Sequence, residues 1–198
     1  MNITEKIVVR ENKTLKLNNV LVREVSESEI MNIDKVAYMM DSYIKSKGNS
    51  TLGPMINYTT AEADENGQLK IILKLMVQLK SPLHNVETPY ELKNQIRVTN
   101  CLFARFTEKE ENLHFAYSKL QLHAFENDIK LQGDSYTVFV DKKEDSSMVA
   151  DIFMPICSVE VRRTSLDSSP LSPVEVRRTS SNPSNLYIQK GGQELESL

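Results

Sequence analysis

Cysteine is scarce in this chain: among 198 residues there are two, Cys101 and Cys157, without the Cys-x-x-Cys spacing of a redox or metal motif. Two thiols are too few for a disulfide framework, so a reducing compartment is expected, with cytoplasmic as the expected location. Glycine is sparse as well, and six residues leave no glycine-rich loop to cradle a phosphate. No Gly-x-Ser-x-Gly or Cys-His nucleophile signature occurs. The expectation is a protein that is not an enzyme and uses no cofactor. Missing too are a strongly basic face and a long apolar run. A net charge of −3 with pI near 5.7 gives no general attraction for phosphate backbones, so nucleic acid is not an expected partner. The stretch from Met1 to Asn12 lacks the apolar core of a signal peptide, and no later run approaches membrane-spanning length.

Histidine offers little chemistry. His114 and His123 lie nine residues apart on one expected helix, which at 100° per residue puts them on opposite faces, so they cannot share a metal. His84 stands beside Pro82 in an expected linker. Carboxylate runs such as Glu108 to Glu111 read as solvated helix starts and turns.

What is present is a repeat of hydrophobic spacing. Ile33, Val36, Ala37, Met40 and Ile44 fall at i, i+3, i+4, i+7 and i+11, the buried stripe of an amphipathic helix. Leu113, Ala116, Tyr117, Leu120 and Ala124 repeat it, and 113 minus 33 is 80. Each stripe leads to a glycine that opens a strand-like run, Gly53 before Met55 to Thr60 and Gly133 before Tyr136 to Val140; 133 minus 53 is again 80. The spacing predicts two copies of one strand, helix, strand, strand unit. Either copy alone has a thin core, so the two should pack together with a shared groove.

In the first copy Val20 to Val25 reads as a strand, and Ser26 with Glu29 as a capping box that starts the helix. Lys45 and Lys47 suit the helix C-terminus, and Gly48 can close it. The turn Asp64-Glu65-Asn66-Gly67 leads into Leu69 to Leu79, whose odd positions are all apolar. In the second copy Cys101 to Phe106 is the opening strand, and Thr107 with Glu110 is another candidate capping box. Tyr136 to Val140 and Met148 to Ile156 form a hairpin around Asp141 to Ser147. Ser81 to Asn94, with Pro82 and Pro89, reads as a linker. The fold class is therefore α+β, with duplicated strand-helix-strand-strand units forming one curved antiparallel sheet with two helices. Residues 1–156 make this domain, in halves of about 20–80 and 100–156.

After Cys157 the composition turns to Ser, Pro, Arg and Asn, and Val-Glu-Val-Arg-Arg-Thr-Ser occurs twice. Residues 157–198 are expected to be a flexible tail, because such a segment buries too little apolar surface to offset its ordering entropy. Arg-Arg-Thr-Ser has the form favoured by basophilic kinases, which makes Ser165 and Ser180 candidate phosphorylation sites.

Tyr58 and Tyr136 follow the two glycines at nearly matching places. A tyrosine joins a flat apolar face to one hydroxyl, the combination that lines pockets for organic molecules, and the alternative is that both simply pack between helix and sheet.

The segments Gly53-Pro54-Met55-Ile56-Asn57-Tyr58, Gly133-Asp134-Ser135-Tyr136-Thr137-Val138 and the closing Ala150-Asp151-Ile152-Phe153-Met154-Pro155-Ile156 resemble the GyrI-like effector-binding family, which includes the AraC/Rob-type effector domains. The resemblance covers about Val20 to Ile156. More narrowly, the ordered part is similar to an uncharacterised Bacillota family, some of whose members are encoded near LXG-type toxins. The resemblance implies a groove between the halves that holds a small hydrophobic or aromatic ligand, walled by Ile56, Tyr58, Tyr136 and Val138. Members that bind cationic drugs carry a Glu-x-Tyr pair in the second-half strand. Taking Asp141 as the end of that strand, the pair falls on Tyr136 and Val138, so the glutamate is missing and a neutral or weakly polar ligand is implied. A few relatives of the fold are hydrolases, and the missing glutamate argues against that activity. The alternative function is an accessory module that holds a protein partner, a toxin or secretion component. No attached helix-turn-helix region is seen.

Overall fold

The computed structural model describes residues 7–63, 65–143 and 147–157. The expected tail beyond Cys157, with Ser165 and Ser180, lies outside the described residues. Strand β1 is Val9–Val25, followed by a 3-10 turn at Glu27–Asn32, helix α1 at Ile33–Ser46, β2 at Ile56–Ala63 and β3 at Leu69–Gln78. The second half repeats the order: β4 is Tyr90–Phe106, then a 3-10 turn at Glu110–Asn112, α2 at His114–Glu126, β5 at Ser135–Lys142 and β6 at Met148–Pro155. The fold is α+β, with six antiparallel strands and two α-helices among the described residues.

The expected helices pack as their stripes require. Val36, Met40 and Ile44 of α1 are buried against Leu21, Val25, Leu75 and Val77. Ala116, Leu120 and Ala124 of α2, each 80 residues further on, are buried against Leu102, Phe106, Ala150 and Ile152. The two interfaces trade volume between layers. Where α1 offers Val36 and Ile44, α2 offers alanines, and where β1 ends on Val25, β4 ends on Phe106, which fills the space that smaller helix residues leave.

The expectation of one curved antiparallel sheet does not include closure, and the sheet closes. Strand order is β1-β3-β2-β5-β6-β4, and β4 pairs with β1 from Arg23↔Tyr90 to Val9↔Ala104. Both partner strands are far longer than Val20 to Val25 and Cys101 to Phe106, the segments their apolar alternation marks. The extensions are richer in polar residues, and they pair along the ladder between halves with only a few apolar side chains, Leu15, Leu17, Leu92 and Ile96 among them, at least partly buried. The end of the expected linker, from Tyr90 onward, is therefore strand; Tyr90 also stacks on Tyr43 at 4.2 Å. Register shifts between Arg10 and Leu15, with Asn12 at φ 56, bend β1, and Asn100 at φ 55 lies in β4. Asparagine tolerates this left-handed region better than most residues, and bulges bend strands.

A six-stranded barrel has room inside only for side chains, so α1 and α2 lie outside and the opposite face of the sheet is the inner wall. Val20, Val22, Ile56 and Met76 are buried there.

Local signals fared unevenly. The Ser26 amide donates to the Glu29 carboxylate at 3.0 Å, and that bond chiefly holds the Glu29 carboxyl below its usual range. The capping box opens the 3-10 turn ahead of α1, not α1 itself. The expected box at Thr107 is absent: the turn there starts after Lys109, and Glu110 accepts a hydrogen bond from Lys142 at 2.8 Å instead. Leu69 and Ile71, apolar positions of the most regular strand, are 78% and 66% exposed at a hairpin end beyond the reach of α1. No described helix is long and apolar enough to cross a membrane.

Leu120 is fully buried at the centre of the second-half core. Leu120→Ala is expected to lower unfolding stability by about 2–5 kcal/mol, read from the urea midpoint at unchanged slope. An exposed control, Gln121→Ala, should shift it by less than about 0.5 kcal/mol.

Candidate functional site

The halves meet twice, at β1 with β4 and at β2 with β5. At the second seam Ile56 opposes Val138, Asn57 opposes Thr137 and Tyr58 opposes Tyr136. Asn57 and Thr137 are 80 residues apart, so the pseudo-twofold axis of the repeat passes through that pair. All four residues chosen as groove walls come together on the inner face. Ile56 is 1% exposed and packs with Val22 and Met76, while Tyr58, Tyr136 and Val138 are half-buried against the same cluster. The tyrosine rings are tilted by 49° with centroids 4.9 Å apart. The Thr60 hydroxyl donates to Asp134 at 2.7 Å, a second tie between the halves near the same tyrosines.

Alternate residues of the same two strands face the helices. Met55, Asn57 and Phe139 line a cleft of about 240 Å³ with Ile33 and Ala37 of α1 and Leu75 of β3. Asp34, Glu110 and Lys142 stand at this cleft, and Lys142 is paired with Glu110 at 2.8 Å. On this helix-facing side the Thr137 hydroxyl is buried and hydrogen-bonds the Tyr117 hydroxyl from α2.

A larger cleft, of about 500 Å³, opens on the inner-wall side of the second half. Phe103 and Phe153 form its aromatic floor, with centroids 5.0 Å apart, and Arg10, Lys13 and Arg105 stand around it. Phe153 opposes Tyr136 in the β5–β6 ladder, so four rings follow one another across four strands: Tyr58, Tyr136, Phe153 and Phe103. The aromatic pair Phe103 and Phe153 and the cations were not among the residues singled out by sequence. They lie 50 residues apart, and only the register of β4 against β6 brings them together.

The three histidines do not converge. His114 Nδ1 lies 2.9 Å from the Glu111 carbonyl, His123 Nε2 lies 2.9 Å from Glu11, and His84 is exposed. Among the described residues no group of three or more His, Cys, Asp or Glu is placed to hold a metal. Cys101 is buried and unbonded to another cysteine, and burial pushes its thiol up to about 11. Burial also raises the hydroxyls of Tyr58, Tyr117 and Tyr136 above the ordinary phenol value.

No protein-family model matches the chain, and no curated protein matches it significantly. Solved structures do match. EcmrR in the EcmrR-DNA complex of EcmrR-RPo has a TM-score of 0.56 and 14% identity over 78% of this chain and 58% of that one. The EcmrR C-terminal domain gives 0.53 and 14% over 78% of this chain and 98% of that domain. The likeness is one of fold. This chain therefore spans somewhat over half of the EcmrR protein in that complex, and its fold is consistent with the GyrI-like resemblance. SAV2435 bound to tetraphenylphosphonium is a looser match, with TM-score 0.43 and 12% identity over 80% of this chain and 98% of that one.

The raised thiol and phenols make stability sensitive to alkali. These acids are neutral when protonated, and burial favours the neutral form, so the folded chain keeps protons that the unfolded chain releases from about pH 8.5 for thiols and 10 for phenols. Their contribution is full below about pH 8.5 and is lost as pH rises toward and past the Cys101 value of about 11. The urea midpoint is expected to fall steadily from pH 8 to 10.5. Cys101→Ala should flatten the first part of that decline; an unchanged profile would remove the thiol from this account.

Proposed function

We propose that the protein is a non-enzymatic binding module for a small, largely apolar organic ligand, held over the β2–β5 seam between its halves. The observation that carries the reading is the cleft of about 240 Å³ built by both halves and α1 directly over the pseudo-twofold axis. Met55, Ile33, Ala37, Leu75 and Phe139 exclude water from it, and Asn57 supplies a polar contact. Ile56, Tyr58, Tyr136 and Val138 alternate with these residues, support the seam from the inner face and hold its register. A cavity of about 150 Å³ accepts benzene, so this volume suits one or two rings. Lys142 neutralises Glu110, and Asp34, the remaining charge of the lining, is exposed at its rim, so the apolar interior favours a neutral or weakly polar ligand. Two free thiols fit a reducing, cytoplasmic setting.

The second reading is an accessory module for a toxin or secretion component. It is favoured by Ile30, Leu69 and Ile71, exposed apolar residues gathered around one shallow cleft.

Titration with neutral one- and two-ring compounds, 2-naphthol among them, followed by native mass spectrometry, should show saturable binding at one equivalent. Phe139→Ala is expected to weaken it about tenfold, near 1.4 kcal/mol, and Tyr136→Ala much less. Loss with Tyr136→Ala but not Phe139→Ala would move the ligand to the inner face. Absence of any binding, with a partner recovered in fixed ratio, would favour the accessory reading.

A further inference from the structure

We propose that the inner-wall cleft of the second half is a separate site selective for flat aromatic anions, with Phe103 and Phe153 receiving the ring and Arg10 and Lys13 the negative charge. Its volume of about 500 Å³ lies within the roughly 300–1,000 Å³ of small-molecule sites.

Charge in the cleft is unbalanced. Arg105 is neutralised, because its Nε and Nη2 donate to the two oxygens of Asp151, both at 2.7 Å. Arg10 and Lys13 have no acidic partner among the described residues, and Glu11 between them is bonded to His123. Two cations uncompensated among the described residues thus share one cleft in a chain whose net charge is −3. Residues three apart on a regular strand face opposite ways. Here the register shift between Arg10 and Lys13, with Asn12 at φ 56, turns both to the cleft. Arg10 opposes Phe103 in the ladder, which sets a cation beside the ring floor.

The repeat supplies an internal comparison. The pair Phe103↔Phe153 has its first-half equivalent in Val22↔Met76, and the pair Arg105↔Asp151 in Glu24↔Lys74, with the charges reversed. Opposite Val22 stands Glu91, where Phe103 has Arg10. One framework therefore carries an aliphatic version whose acids are paired with lysines, Glu24 with Lys74 and Glu91 with Lys93, at one end and an aromatic, basic version at the other. Packing alone does not ask for the exchange, since the aliphatic pair serves the same ladder.

The test compares 2-naphthoate with its neutral isostere 2-naphthamide by calorimetric titration of the full chain carrying Phe139→Ala, so that the seam cleft takes up less of the neutral compound. Naphthoate is expected to bind at least tenfold tighter, and more weakly as salt is added. Arg10→Gln combined with Lys13→Gln, both exposed positions, should bring naphthoate to the level of naphthamide while leaving the thermal midpoint in place. Phe153→Leu should weaken both compounds. Phe139→Ala, at the seam cleft, should leave naphthoate unchanged, which separates this site from the one proposed above. Naphthoate binding that is absent, no tighter than naphthamide, or insensitive to the double variant would overturn the proposal.

Discussion

Pairing between β1 and β4 is the constraint from which the remaining architecture follows. Each strand serves its own half at one end, β1 by pairing with β3 and β4 by pairing with β6, and each serves the other half along the rest. Without that ladder the duplicated units would form an open sheet with two exposed edges, a hazard that closure removes. Closure also divides the sheet into an outer face, which the helices cover, and a narrow inner wall. Helix packing supplies most of the buried apolar surface, but the ladder decides which side chains are enclosed and which edge a cleft.

Duplication explains both the likeness and the divergence of the halves. Buried positions match across the repeat because each helix needs the same stripe, and the smaller stripe residues of α2, Ala116 and Ala124, share their core with Phe106 where the first half has Val25. Positions on the inner wall carry no such demand at the barrel ends. There the halves have separated in charge and shape, with Arg105 and Asp151 at one end and Glu24 and Lys74 at the other. Each end keeps one ion pair, in opposite order along the two strands, so either arrangement satisfies its own charges.

Much of this was legible in the residues. Helix stripes at period 3.6, the two glycines and the 80-residue offset lead to two equivalent halves, and Tyr58 and Tyr136 do meet across the seam. Closure was not legible. From Glu11 to Asn19 and from Glu91 to Asn100 the chain is largely polar, and polar strands that gain their order from a distant partner look like loop or linker. The site was half legible for a related reason. Periodicity shows that Tyr58 and Tyr136 share a face, but which face looks onto the helices depends on strand register, and the basic residues around Phe103 and Phe153 depend on a bulge with no strong sequence signal.

Alternation along β5 then ties the two clefts to a single strand without merging them. Thr137 and Phe139 point to the helices, and Tyr136 and Val138 point inward, so neighbouring residues belong to different chemical settings. The outer setting is apolar with its nearest charges largely paired, whereas the inner wall leads by way of Tyr136 and Phe153 to cations that have no acidic partner among the described residues. A molecule that suits one is poorly matched to the other: an anion over Met55 and Phe139 would meet Asp34 and a lysine already engaged by Glu110, and a neutral ring between Arg10 and Lys13 would leave the field of both unanswered. Separation by charge follows from the pleat, because a two-residue period is the shortest distance over which a protein can present different surfaces on the two sides of one strand.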